Sequence, residues 1–77
     1  MLNSVRVKLI EAMSAYKDFG TVPSVIVAVV SLNGKSLEII TNTSNIIEKI
    51  EYYLNTYDID MVHKHAEGIS IVDMLIY

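Results

Sequence analysis

Leu2, Val5, Leu9, Met13 and Tyr16, with Ile10 and Ala12 beside them, recur in steps of three and four, while Arg6, Glu11, Ser14 and Lys17 fall largely elsewhere. That spacing predicts an amphipathic helix over about residues 3 to 18, stopped by Gly20 and Pro23. Ser4 to Ile10 alternates well enough for a strand, but the helical step continues through Tyr16 and decides for the helix. The pattern then changes period. SVIVAVVSLNGKSLEIITN is rich in β-branched residues and broken by Asn33-Gly34, two residues that tolerate the positive φ of a type I′ turn, so strands are expected at 24 to 32 and 35 to 42. TNTSNIIEKIEYYLNTYD returns to helical spacing, with Ile46, Ile47, Ile50, Tyr53, Leu54 and Tyr57 on one stripe. Ser44 or Asn45 is the expected cap, and Glu48, three residues after Asn45, suits a capping box. GISIVDMLIY is a last strand, and residues 59 to 63 could form a short strand beside it.

The expected fold is α+β, in the order helix-strand-strand-helix-(strand)-strand, with two helices on a three- or four-stranded, mainly antiparallel sheet. Its shape resembles a ferredoxin-like unit without its first strand, a likeness that carries no activity. Residues 1 to 77 are too few for a second core, so a single domain is expected.

Alternate residues of a strand point to opposite faces, so Val25, Val27 and Val29 share one face and Ile26, Ala28, Val30 and Leu32 the other. Both sets are apolar. In the last strand Ile69, Ile71 and Leu75 are expected on one side, and Val72, Met74 and Ile76 on the other. Strands apolar on both faces are normally covered on both, yet two helices in this order tend to lie on one side. The remaining face calls for a partner, and a second copy of the chain is the commonest solution. The alternative is a self-sufficient monomer with its helices split across the sheet.

Composition agrees with association. Hydrophobic residues make up 52% and charged residues 19% of the chain, and the absence of cysteine removes disulfides and thiol chemistry. The longest strictly apolar run, Val25 to Val30, is far short of a membrane span, and the amino terminus lacks the apolar core of a signal peptide, so no membrane role and a cytoplasmic location are expected. Net charge is −3 and the basic residues are scattered singly, which disfavours nucleic acid. Ile, Asn, Tyr and Lys greatly outnumber Ala, Gly, Pro and Arg, a bias that suggests a low-GC bacterium or one of its phages.

Polar chemistry concentrates in YDIDMVHKHAEG, residues 57 to 68. On a strand His63 and His65 would project from one face, and Asp58, Asp60 or Glu67 could complete a metal site. A solvated turn between helix and strand accounts for the same residues. Leu32-Asn-Gly-Lys-Ser36 lacks the earlier glycine of a phosphate loop, Val29 standing in its place, and the hairpin explains it. Asp18-Phe19-Gly20 has no kinase around it. Asp73 interrupts an apolar strand and needs a Lys or Tyr partner or a raised pKa. Tyr52 falls off the second helix's apolar stripe and is an expected partner contact. No cofactor, metal ligand set or catalytic residue is assigned. The sequence reads best as a small non-catalytic protein-protein interaction module, a homo-oligomeric accessory or inhibitory factor of mobile-element origin with a possible heterologous protein partner. His63, His65, Asp60, Asp73 and Tyr52 are its candidate contacts. The alternative is a small-molecule or metal-binding module centred on His63 and His65.

Overall fold

The computed structural model describes residues 2–77. It is an α+β fold of two helices and a three-stranded sheet: α1 (Ser4–Phe19), β1 (Ile26–Leu32), β2 (Ser36–Asn42), α2 (Ile46–Thr56) and β3 (Ile69–Ile76). The strands run in the order β2-β1-β3, antiparallel throughout.

Local chemistry explains where the elements start and stop. The Asn3 side chain accepts from the N–H groups of Val5 and Arg6 at 2.9 and 3.2 Å, satisfying donors that the first helical turn leaves free. Gly20 ends α1 in the left-handed region, with φ 71 and its N–H closed on the Tyr16 carbonyl. Between β1 and β2, Asn33 and Gly34 both have positive φ, 56 and 68, and the Lys35 N–H returns to the Leu32 carbonyl at 3.0 Å. The strands are a little shorter than the periodicity predicts, although Ser24 and Val25 still exchange backbone bonds with Tyr77.

The capping box expected on α2 does not form. Asn45 is the N-cap residue, but its φ of 52 is left-handed and its side chain makes no capping bond. A side-chain cap works from extended backbone, which aims the oxygen at the first turn. The other end of α2 is held from outside. The Arg6 guanidinium donates to the carbonyls of Leu54, Tyr57 and Asp58 at 3.5, 3.2 and 3.1 Å, placing a cation at the negative end of the helix.

Both helices pack on one face of the sheet. Val5, Leu9 and Met13 of α1 and Ile46, Ile50 and Tyr53 of α2 close over Ile26, Ala28 and Val30 of β1 and Ile71 and Met74 of β3. Tyr57 and Met61 complete this core, and β2 contributes nothing to it. The face assignment expected for β3 is corrected here. Val29 faces Asp73 while the next residue, Val30, faces Ile71, so the register slips by one and Val72 bulges without a partner of its own. Ile71 and Met74 therefore share the helix side, and Val72, Asp73 and Leu75 lie exposed.

The last connection is partly a strand. Val62 bridges Ser70, the His63 N–H reaches the Ile69 carbonyl at 2.8 Å, and the Ile71 N–H reaches the Met61 carbonyl at 2.9 Å. Among the described residues no helix is long and apolar enough to cross a membrane.

Candidate functional site

Three places could host function: the histidine segment, a cleft beside β3, and the sheet surface away from the helices.

In the histidine segment the polar groups are occupied in building the turn. The Asp58 carboxylate accepts from the N–H groups of Asp60 and Val62 at 2.9 and 3.0 Å, folding the chain so that Met61 enters the core with φ 60. The Val62 N–H, with that of Asp60 and the charges of Lys64 and Arg6 behind it, holds the Asp58 carboxyl below its usual range against slight desolvation. His63 is half-buried, and its Nδ1 accepts from the N–H groups of His65 and Ala66 at 3.0 and 2.9 Å. Its ring meets Tyr57 edge-on at 5.0 Å and lies 6.1 Å from the His65 ring. With Nδ1 engaged, only Nε2 of His63 remains for a ligand. Asp60 is exposed, and its backbone carbonyl takes the Asn3 side-chain amide at 3.4 Å. Among the described residues no group of three or more His, Asp or Glu is gathered to hold a metal ion.

Asp73 occupies the bulge. Its carboxylate accepts from the Met74 N–H at 2.8 Å and stands 3.8 Å from Lys8 Nζ, an exposed pair in which solvent screens most of the attraction. Lys8 makes its stronger contact with backbone, donating to the Met74 carbonyl at 2.7 Å. Beside it lies an open cleft of about 410 Å³, lined by Lys8, Glu11, Ala12, Met74, Leu75 and Ile76. Among the described residues every buried side-chain nitrogen or oxygen has a partner, so no unsatisfied polar group is aimed into the cleft.

Tyr52 is exposed on α2, edge-on to Tyr53 at 5.4 Å and with Lys49 Nζ 5.7 Å from its ring centre. Tyr53 and Tyr57 are buried, and burial pushes both phenols up, opposed at Tyr53 by the bond from the Asn42 side chain. Ionising either phenol above pH 10 therefore works against the fold.

The third place is the sheet surface itself. On the face opposite the helices, Val27 and Val29 are half-buried, and Leu37, Ile39, Val72 and Leu75 are exposed, Ile39 to 71% and Leu37 to 67%. Cross-strand pairing of Val29 with Ile39 and of Val27 with Thr41 and Leu75 makes these side chains one continuous surface.

Reading the sequence missed two parts of this arrangement. The polar connection carries a fully buried residue, Met61, for which the only signal was a large apolar side chain amid polar ones. The contact of Lys8 with the β3 backbone had no local signal at all. No family model, curated protein or solved structure matches the chain.

Proposed function

We propose that the protein is a non-catalytic protein-protein interaction module that works as a homo-oligomer, binding through the sheet surface its helices leave bare. The observation that carries this reading is the contiguous exposure of Leu37, Ile39, Val72 and Leu75 around Val27 and Val29. Full burial of each large aliphatic side chain is worth about 1.5 to 3 kcal/mol, and a domain has only about 5 to 15 kcal/mol in total. Covering this patch would therefore change the stability of so small a chain substantially. An apolar patch of this kind on a soluble chain is the usual mark of a docking surface. An accessory or inhibitory role toward a second protein fits a chain whose Asp58 and His63 side chains are engaged in building its own turn.

Sedimentation velocity across micromolar concentrations tests the reading. The expected result is a species of twice the 8.6 kDa chain mass, and a monomer at every concentration would sink it. The rival reading, a metal or small-molecule module at His63 and His65, has only one free imidazole nitrogen on His63 in its favour. Tight zinc binding that disappears in His63→Ala would replace the first reading with the second.

A further inference from the structure

We propose that two copies pair through β2 about a two-fold axis at Ile39, joining their sheets into one six-stranded antiparallel sheet. This rests on the homo-oligomer reading and specifies its geometry: the copies join at the β2 edge, and the bare face, continued across six strands, stays open to the second protein.

The first support is an asymmetry between the two edges of the sheet. The outer edge of β3 is closed at its start by residues 61 to 63 and further on by Lys8, which takes the Met74 carbonyl. Among the described residues nothing bonds the outer edge of β2, which has no proline, no bulge and a single charge, Glu38. Edge strands are normally protected by such devices, and an unprotected one is a template for another strand.

Second, β2 is exposed on both faces. Leu37 and Ile39 lie on the bare side, and Ile40, opposite Ala28, lies exposed on the helix side. Stacking two bare faces would leave Ile40 in water, whereas pairing the edges covers it.

Third, the charges are complementary. Ile47 and Leu54 form one half-buried flank of α2, so helical phase puts Lys49 and Thr56 on the other, the side on which the Tyr53 hydroxyl takes the Asn42 side chain of β2. Glu38 lies on the helix side of β2, opposite Val30. Among the described residues neither Glu38 nor Lys49 has an ion pair within the chain. A two-fold axis at Ile39, the midpoint of Ser36–Asn42, overlaps all of β2 and sets Glu38 against Ile40 of the second copy, facing the α2 flank that bears Lys49. Moving the axis to Glu38 would set two carboxylates directly opposite, which is destabilising.

The absence of cysteine makes the test clean. Directly opposed residues of an antiparallel pair have Cα atoms about 4.5 to 5.5 Å apart, within disulfide range. Under mild oxidation Ile39→Cys should convert almost wholly to a covalent dimer, and Val72→Cys, at the far edge of the same bare face, should stay unlinked. In sedimentation Ile39→Lys should be a monomer with the wild-type circular dichroism spectrum, and Val72→Lys should remain a dimer. Loss of the dimer in Val72→Lys, or linkage of Val72→Cys in place of Ile39→Cys, overturns edge pairing while the homo-oligomer reading stands. A monomeric wild type overturns both.

Discussion

β2 and β3 flank the same central strand and both carry large aliphatic side chains, but they meet solvent differently. β3 sends Ile71 and Met74 into the core, bulges at Val72, pairs with residues 61 to 63 and lends a carbonyl to Lys8. β2 has none of these: it sends nothing into the core, and six of its seven residues are exposed. The difference lies in what packs beside each strand. Edge protection is here a property of tertiary neighbours, supplied to β3 by α1 and by the loop after α2, and withheld from β2.

The comparison is sharpest where the dressing of β3 can be removed. Met61 is fully buried and anchors the segment that pairs with β3, so Met61→Ala should cost about 2 to 5 kcal/mol in urea unfolding and release that segment. Gly68 has φ 80, and a Cβ there would run into the Asn33 side chain, so Gly68→Ala should cost about 1 to 3 kcal/mol. That substitution also strikes the backbone bond from Asn33 to Gly68 that pins the β1–β2 turn to the start of β3. Lys8→Met keeps the aliphatic stem and removes the ammonium; it should cost only about 1 kcal/mol, but it bares a second edge. Its signature is therefore new concentration-dependent association in light scattering beyond whatever the wild type shows.

Asp58→Asn has a smaller effect at neutral pH, since an amide oxygen can still accept both N–H groups. Its effect is on pH dependence. Because the folded carboxyl is held below the unfolded value of 3.8, its contribution is present above that value and is lost as pH falls through the folded pKa. Urea midpoints followed from neutral pH to about pH 3 should decline less steeply in the variant than in the wild type. Least of all, Leu37→Thr on the bare strand should change the stability of the isolated chain by no more than about 0.5 kcal/mol at submicromolar concentration. A large loss there would mean that β2 supports the fold itself, and the contrast between the edges would disappear.

Much of this architecture is written in short-range chemistry. The stripes of α1 and α2, the Gly20 stop, the Asn33-Gly34 turn and the burial of Tyr53 and Tyr57 beside exposed Tyr52 follow from spacing and from residues that tolerate positive φ. What escaped depends on distant partners or on backbone irregularity. Lys8 and Met74 are 66 residues apart, and no local pattern records their bond. The left-handed Asn45 turns a well-formed capping motif into an idle one. The histidine segment was legible as a connection, but the hydrogen bonds that occupy Asp58 and His63 depend on the fold of the turn itself.

The irregular pairing at Val72 also sets how β3 tolerates changes in length. Shortening a regular strand by one residue inverts every side chain beyond the cut, turning core to water and water to core. In β3 the surplus residue already sits where Val72 and Asp73 point the same way. Excising Val72 would restore strict alternation and leave Met74 inside, so an indel that would ruin β1 amounts in β3 to straightening a kink.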